Sequence, residues 1–444
     1  MVTAPHGLVT RERRAVLLGP LYRLVGTPVT AALSLLNVAV IVRETGAEVF
    51  GLVSLVATVT LLFPFADFGV GDTVISASAQ LRGASRDPRA ADVIRRGYQV
   101  LTCVAIGVIA LALVVMAADG WASIVGFSSG AQDRWAITVA SCLFGLTIPA
   151  GLGVRMLIGV DRNPLATLVL MTCPAFALGL TLLLRMAGVD GIWYVTSSLG
   201  GLLAGQAVGT VIALRLTRLD VSVLTRARTV RSSRRLLEGS LWLFLVAVGL
   251  AAGCQSGRMV LAHLSTPDQL AGYALLAMVY AACWQVLSAA GLAFWPVFVR
   301  RRSAVEETIR TWRRLVVVFA AGAAVAGTAL WWLGPWIAWV LSDGAIVVAP
   351  TLGLAFGLLL VGQAMHLPAA VLLTRPNEAR WQAIWTTVMA VLSIGLACVV
   401  AGAAGAVGVV LAAAVAVALA QVAPDVCWVP RVIRRRTDDL AAGT

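Results

Sequence analysis

The stretch RRGYQVLTCVAIGVIALALVVMA at residues 95–117 decides the fold class of this chain. Two arginines precede a long run without any charge, in which Val, Ile, Leu and Ala leave no polar face. A helix of about 20 apolar residues spans the hydrocarbon core of a bilayer, and arginine is typical of its boundary. A second stretch with the same layout, RRLVVVFAAGAAVAGTALWWL, lies at residues 313–333. Both stretches predict transmembrane helices.

The composition of the whole chain agrees with this prediction. Apolar residues make up 60% of the 444 positions and charged residues only 12%, where a soluble domain has roughly 25%. A chain this large could not cover a soluble surface with so few charges, so lipid must cover it. All 34 basic residues are arginines in short clusters between apolar runs, which argues against nucleic acid as the partner of the +13 net charge.

Apolar stretches of spanning length predict about 12 transmembrane helices in an all-α fold. They lie at 16–42, 49–79, 98–118, 135–160, 165–187, 191–214, 238–262, 269–299, 314–333, 346–373, 381–401 and 405–428. The segments between them leave no room for a soluble catalytic domain. Counted over alternate loops, 28 arginines fall on one side, three on the other and three inside helices. Because basic loops stay in the cytoplasm, both termini are predicted to be cytoplasmic.

The two halves of the chain carry the same landmarks in the same order. The offsets are 221, 218, 219 and 217 residues for Gly51 with Gly272, Arg95 with Arg313, Pro149 with Pro368, and Gly188 with Gly405. Six helices per half is an even number, so both halves point the same way across the membrane and form a parallel repeat. We therefore expect two six-helix lobes.

The predicted domain boundaries follow from this repeat. The N-terminal lobe covers 1–215, an arginine-rich cytoplasmic linker covers 216–237, the C-terminal lobe covers 238–430, and a cytoplasmic tail covers 431–444. Within the first lobe, Gly201, Gly205 and Gly209 form a stripe of small residues that predicts close helix packing.

Three segments resemble a known family of exporters. They are EVFGLVSLVATVTLLFPFADFGVGDTVISASAQ at 48–80, DQLAGYALLAMVYAACWQVLSAAGLAFWPVFVR at 268–300 and VLLTRPNEARWQAIW at 371–385. They are similar to helix 2, helix 8 and the loop into helix 11 of polysaccharide exporters. These exporters form the polysaccharide biosynthesis and O-antigen flippase-like branch of the multidrug/oligosaccharidyl-lipid/polysaccharide (MOP) exporter superfamily. The resemblance covers nearly the whole chain.

This resemblance implies a V-shaped, two-lobed fold like that of the MATE transporters, which belong to the same superfamily. It also implies a flippase of the bacterial plasma (inner) membrane. Such a protein moves an undecaprenyl-diphosphate-linked oligosaccharide from the inner to the outer leaflet by alternating access. A glycan polymerase and glycosyltransferases are candidate partners, although no motif supports a contact with them.

Three arginines inside predicted helices are candidate substrate-binding residues. Arg23 lies in helix 1, Arg155 near the inner end of helix 4 and Arg258 in helix 7. A charge in the hydrocarbon region is expensive, so such residues often line a wet cavity, and guanidinium pairs bidentately with phosphate. Together they predict a cationic path for a diphosphate. Two alternatives stay open: Arg23 and Arg155 snorkel to headgroups, or Arg258 pairs with an acidic neighbour.

Other ionisable residues within the spans are candidate coupling sites. Asp67 and Asp72 flank a Phe-Gly-Val-Gly break in helix 2 and either bind a proton or cation or pair with nearby arginines. His366 lies two residues before Pro368 in helix 10. It either binds sugar hydroxyls, carries a proton, or hydrogen-bonds backbone that the proline frees.

Signatures of an enzyme or a metal site are missing from the sequence. There is no GxxxxGK[ST] phosphate loop, no HExxH and no CxxC pair. We therefore expect that the protein is not an enzyme and binds no cofactor and no metal ion. Two alternatives to a flippase remain. One is an ion-coupled multidrug or small-solute antiporter of the same superfamily, and the other is a non-transporting membrane scaffold for a glycan machine.

Overall fold

The computed structural model describes residues 6–62, 70–81, 88–125, 130–219, 234–292, 294, 298, 305–373 and 376–442, and every regular element in them is helical. In the first half of the chain the helices are α1 (His6–Leu62), α2 (Val70–Gln80), α3 (Pro88–Ala117), α4 (Trp121–Val125), α5 (Ala131–Ala150), α6 (Leu152–Gly159), α7 (Asn163–Met186) and α8 (Val195–Thr217), with a 3₁₀ turn at Gly191–Tyr194. In the second half they are α9 (Arg234–Gln255), α10 (Gly257–Leu264), α11 (Pro267–Leu292), α12 (Val305–Ser342), α13 (Pro350–Leu372), α14 (Pro376–Val417) and α15 (Ala423–Ala442). A π-helical turn at Ala418–Val422 joins α14 to α15.

The helices are those of a membrane protein. Within the described residues, eight helical segments are long and apolar enough to cross a bilayer. Large apolar side chains face outward from them, such as Val325 and Val399 with 74% and 80% of their surface exposed. Such a surface is stable in lipid, because apolar side chains are solvated favourably by hydrocarbon and unfavourably by water. The chain is therefore a multi-pass, all-helical membrane protein, as its sequence predicts.

Two glycines divide long helices. Gly46 interrupts α1 with φ 76°, and Gly405 interrupts α14 with φ 54°. A residue without Cβ is the one that adopts this left-handed conformation at low cost. At the second break, the backbone N–H of Ala406 donates to the Oε1 atom of Gln269 over 3.0 Å, which satisfies a donor that the kink frees. Gly46 falls between the predicted spans 16–42 and 49–79, and Gly405 is the first residue of the predicted span 405–428.

The predicted span at 314–333 is shorter than the helix that contains it. Helix α12 runs from Val305 to Ser342, and its first turn carries Glu306 and Glu307. Hydropathy detects the part of a helix that lipid surrounds, whereas the helix itself continues into water as long as its backbone hydrogen bonds persist. The sequence therefore locates this span and underestimates its helix.

Matched landmarks of the predicted repeat share their local structure. Gly188 and Gly405 both have positive φ, at 66° and 54°. Pro149 lies inside α5 and Pro368 inside α13, so each removes a backbone donor within its helix.

The chain forms two compact units. Unit 1 comprises Met1–Glu44, Ala66–Ile124 and Ser128–Ser232, and unit 2 comprises Thr45–Phe65, Val125–Phe127 and Ser233–Thr444. The grouping of residues 45–65 with unit 2 is visible at Gly51, where a Cβ atom would lie 3.3 Å from the Leu270 side chain.

Close backbone approach at small residues holds the helices of unit 1 together. A Cβ atom at Gly201 would lie 2.4 Å from the backbone nitrogen of Ala177, and one at Gly205 would lie 2.3 Å from Cys173 Sγ. The predicted small-residue stripe of α8 therefore packs on α7. In membranes this mode of packing replaces the hydrophobic driving force, which lipid removes.

Unit 2 uses the same device between α12 and α13. A Cβ atom at Gly327 would lie 2.9 Å from the Cα of Gly357, and one at Gly353 would lie 2.4 Å from the carbonyl oxygen of Leu330. Gly353 and Gly357 are one turn apart, so one face of α13 is committed to α12. The other faces of α13 are free to carry the polar residues described next.

Candidate functional site

The interior of unit 2 contains a ladder of aromatic and polar side chains between α11 and α13. Tyr273 and Tyr280 are seven residues apart on α11, and Phe356 and Gln363 are seven apart on α13, so each pair shares a helix face. The Phe356 ring centroid lies 5.3 Å from those of Tyr273 and Tyr280. The Tyr280 hydroxyl donates to the Oε1 atom of Gln363.

The ladder continues to α9 and α10, where it reaches one of the predicted arginines. The Nε2 atom of Gln363 donates to Cys254 Sγ over 3.0 Å. One turn after Cys254 lies Arg258, with 6% of its surface exposed, and the Tyr273 hydroxyl acts electrostatically on its guanidinium. Unit 2 therefore buries an arginine close to a tyrosine hydroxyl.

One turn further along α13, His366 faces a buried carboxylate. Its Nδ1 atom lies 2.7 Å from Asp425 Oδ2 on α15, and the exposed fractions of the two side chains are 13% and 3%. The alternative in which His366 bonds backbone freed by Pro368 is therefore not the arrangement seen. Burying an ionisable pair costs desolvation energy that only good geometry repays.

The interior of unit 1 contains a different polar cluster. The Thr181 hydroxyl on α7 lies 2.6 Å from Asn37 Oδ1 on α1 and 2.7 Å from Ser197 Oγ on α8, and all three residues are buried. The Ser197 hydroxyl in turn donates to the carbonyl oxygen of Tyr194 over 2.7 Å. These contacts join three helices through neutral groups.

Two ion pairs of unit 1 are partly exposed to the outside of the protein. Arg185 Nε lies 2.9 Å from Glu44 Oε1, with 57% and 30% of the two side chains exposed. Arg134 pairs with Asp119, whose side chain is 69% exposed. Exposed pairs of this kind contribute little to stability, about 0–1 kcal/mol each.

The predicted site residues are distributed over both units. Arg258 belongs to unit 2 and is buried, whereas Arg155 lies half-buried on α6 of unit 1. Arg23 lies on α1 and Asp72 on α2, and their side chains are outside the described part of the structure. Asp67 lies outside the described residues altogether.

Sequence reasoning missed the partner of His366. Asp425 lies in the last predicted span and is the only acid between residues 405 and 428, so the sequence could have marked it as unusual. The sequence could not show that Asp425 pairs with His366, because 59 residues separate the two. Gln363 and Tyr280 gave no signal, since a single amide or hydroxyl is common in membrane helices.

Among the described residues, no group of three or more His, Cys, Asp or Glu side chains is placed to hold a metal ion. The seven cysteines are all free thiols.

The family of the chain follows from a family model described as "Polysaccharide biosynthesis protein", which matches residues 16–301. That match covers well over half of the 444 residues. The chain belongs to this family. No curated protein matches the sequence.

Solved structures of MOP superfamily transporters share the fold. An inward-facing multidrug resistance MATE family transporter is 16% identical, with 91% of this chain and 96% of that chain covered at a TM-score of 0.62. The lipid II flippase MurJ in an inward closed conformation is 13% identical, with 90% of this chain and 86% of that chain covered at a TM-score of 0.62. A MOP superfamily transporter from Pyrococcus furiosus, described as having a binding pocket of reverse polarity, is 14% identical, with 92% and 94% covered at 0.57.

These comparisons confirm the resemblance to MOP exporters that the sequence indicates. At 13–16% identity the structural likeness carries the fold alone. These structural neighbours are described as transporters and a flippase.

Proposed function

We propose that this protein is a flippase that moves an undecaprenyl-diphosphate-linked oligosaccharide from the inner to the outer leaflet by alternating access. The observation that carries the proposal is the polysaccharide biosynthesis family match over residues 16–301. A polysaccharide assembled on a lipid inside the cell needs a membrane protein to carry its headgroup across. The MurJ neighbour is described as a flippase for lipid II, which shows that this fold can serve such a substrate.

The proposed topology has 12 spans in two parallel six-helix lobes, with both termini in the cytoplasm of a bacterium. The 28-to-3 bias of arginines between alternate loops supports it. The breaks at Gly46 and Gly405 also support it, because each lies at the boundary between two consecutive predicted spans.

Arg258 is the residue that we propose to contact the diphosphate. A guanidinium buried in a membrane unit is costly to keep, and a passing anion offsets that cost while it is bound. The planar fork of arginine donates two parallel hydrogen bonds to phosphate oxygens, and the hydroxyl of the neighbouring Tyr273 adds a donor. Arg23 and Arg155 are proposed as further cationic contacts along the path.

Binding to purified protein tests the role of Arg258 directly. We would measure undecaprenyl diphosphate, undecaprenyl monophosphate and undecaprenol by native mass spectrometry on the full chain. We expect Arg258→Gln to weaken diphosphate binding by about 10- to 100-fold, since a charge-assisted hydrogen bond contributes roughly 1.5–3 kcal/mol. Binding of undecaprenol should be unchanged, because that lipid has no phosphate.

The matched control is Arg310→Gln, which removes an exposed arginine from α12 in the same unit. It should leave diphosphate binding within about twofold, because an exposed charge is screened by water and salt. Equal weakening in both variants would mean that the net charge of the protein, and not Arg258, attracts the lipid.

Transport tests the function itself. Proteoliposomes would carry undecaprenyl-diphosphate-linked N-acetylglucosamine, and externally added galactosyltransferase with UDP-galactose would report the sugar that has reached the outer leaflet. We expect the wild-type protein to make nearly all of the lipid-linked sugar accessible, and liposomes without protein only the outer half. Export of a cationic drug without any movement of the lipid-linked sugar would instead identify an antiporter.

A further inference from the structure

The pair formed by His366 and Asp425 is incomplete as a structural ion pair. Asp425 Oδ2 faces the imidazole at 2.7 Å, yet Asp425 Oδ1 is buried and has no hydrogen-bond partner among the described residues. A carboxylate that served only to anchor two helices would normally have both oxygens satisfied, since an unmade hydrogen bond in a dry interior is expensive.

A second buried polar group without a hydrogen-bond partner in the described structure lies four residues earlier in the chain. Gln421 is 2% exposed, and its Nε2 atom also lacks a hydrogen-bond partner within the described residues. Gln421 belongs to the π-helical turn Ala418–Val422, and Asp425 follows that turn directly. Such turns are rare, are poorer in hydrogen-bond geometry than α-helix and often occur at functional sites. Two independent observations, the backbone and the unpaired atoms, therefore mark the same place.

The chemistry of these groups suits a proton better than a metal ion. Sodium, magnesium or calcium requires several oxygen ligands, whereas this cluster offers one carboxylate whose Oδ2 already faces a nitrogen. An imidazole and a carboxylate can together hold zero, one or two exchangeable protons, which changes the net charge of the cluster from −1 to 0 to +1. In a low-dielectric interior each change alters the interaction between α13 and α15.

His366 is the ionisable group that contacts Asp425. Among the described side chains of α11 to α15, Glu378 and Tyr273 are buried, and Tyr280 is half-buried and bonded to Gln363. The exposed charged side chains that the structure describes on these helices are Asp268, Glu306, Glu307, Arg310, Arg313, Arg314, Arg380, Arg431 and Arg434, and the exposed Asp343 directly follows α12.

From this arrangement we propose that His366, Asp425 and Gln421 form a proton-binding site of unit 2. A proton from water binds Asp425 Oδ1, the carboxylate becomes a neutral acid, and its negative charge no longer acts on the imidazole. The new O–H becomes a donor, for which the proposed acceptor is the Oε1 atom of Gln421. Return of the proton to water restores the carboxylate. The coupling of this step to substrate movement rests on the flippase function proposed above.

Infrared spectroscopy tests proton binding without any transport. The full-length protein in lipid nanodiscs would be acidified, and the carbonyl stretch of protonated carboxylic acids would be recorded in H₂O and D₂O. We expect a band at higher frequency than that of exposed acids, because its surroundings are dry. Asp425→Asn should abolish it, and the control Glu306→Gln, which removes an exposed carboxylate on α12, should retain it. A spectrum unchanged by Asp425→Asn would overturn the site.

A second measurement covers the imidazole. The chain has three histidines, so His6→Gln with His263→Gln leaves His366 as the sole imidazole for nuclear magnetic resonance. In that background Asp425→Asn keeps the side-chain volume and should change the protonation curve of His366. An identical curve with and without the carboxylate would contradict the proposal. The elution volume and unfolding temperature of each variant show whether it is folded.

Transport under an imposed pH gradient then tests coupling. One pH unit supplies about a tenfold bias per proton. We would read the outer-to-inner distribution of the lipid-linked sugar with a brief galactosyltransferase pulse, and the ratio of this distribution with and without the gradient should approach that limit in the wild type. In Asp425→Asn and His366→Gln the ratio should fall to about one. Equal pH sensitivity in the variants and the wild type would overturn coupling. If the wild type moves no lipid-linked sugar at all, the flippase proposal fails, while the infrared result still decides whether the site binds a proton.

Discussion

In unit 1 a buried polar contact joins Asn37, Thr181 and Ser197, none of which changes charge near neutral pH. In unit 2 the described interior contains Arg258 together with the pair of His366 and Asp425. Both units use close packing at glycine. Among the described side chains, the two units therefore share the way in which their helices pack and differ in the chemistry of their buried polar groups.

The largest expected effect is on the ionisable pair of unit 2. His366→Leu should lower the free energy of unfolding by about 3–5 kcal/mol, because it leaves the Asp425 carboxylate buried without its partner. Chemical unfolding in mixed micelles at neutral pH would measure it. The double variant with Asp425→Leu should recover most of this loss, since two apolar side chains require no partner. If His366→Leu were as stable as the wild type, the ionisable pair would not distinguish unit 2 from unit 1 in stability.

The next effect should be alike in both units. Gly153→Ala in unit 1 places a Cβ atom 2.2 Å from Thr210 Cα, and Gly353→Ala in unit 2 places one 2.4 Å from the carbonyl oxygen of Leu330. Backbone atoms cannot move aside as a flexible side chain does, so we expect each change to cost about 2–3 kcal/mol of unfolding free energy.

The controls for these glycines are Gly179→Ala in unit 1 and Gly395→Ala in unit 2, where a Cβ atom would meet nothing within 4 Å. Both should be neutral or stabilising by about 0.4–1 kcal/mol, because alanine restricts the unfolded chain. Unfolding midpoints of the four variants would be compared in one detergent. A large loss in one unit only would show that the two do not share this packing.

The smallest effect concerns the neutral cluster of unit 1. Thr181→Val keeps the side-chain shape but removes the hydroxyl between Asn37 and Ser197, so it should cost about 1–2 kcal/mol. The control is the half-buried Thr167, whose hydroxyl makes an exposed hydrogen bond to the carbonyl oxygen of Asn163 in its own helix, and Thr167→Val should be nearly neutral. Sensitivity of the Thr181→Val cost to pH would indicate that unit 1 also contains an ionisable network.

Much of the fold could be predicted from particular residues. The run after Arg95-Arg96 identifies a membrane helix, because apolar length and flanking charge are properties of adjacent residues. The stripe of Gly201, Gly205 and Gly209 likewise predicts a packing face. Arg258 and His366 were recognised as unusual from their position alone, since charge inside an apolar run is visible in the sequence.

The rest depends on contacts between distant residues. Asp425 could be placed within a span from its neighbours, but its alignment with His366 depends on the crossing of α13 and α15 and on the register of the π-helical turn. In the same way, α12 exceeds its apolar core because helix length depends on backbone hydrogen bonding, which hydropathy does not report.

The sequence by itself determined that this chain spans a membrane as helices and that it belongs to a polysaccharide biosynthesis family, and it predicts that the two halves repeat. Those properties depend on composition, local periodicity and spacing, all of which are linear in the chain. The tertiary structure decided which buried groups meet: Arg258 beside Tyr273, and His366 against Asp425. Side chains from separate helices come together only when packing sets their distance and rotation, and no local pattern encodes both.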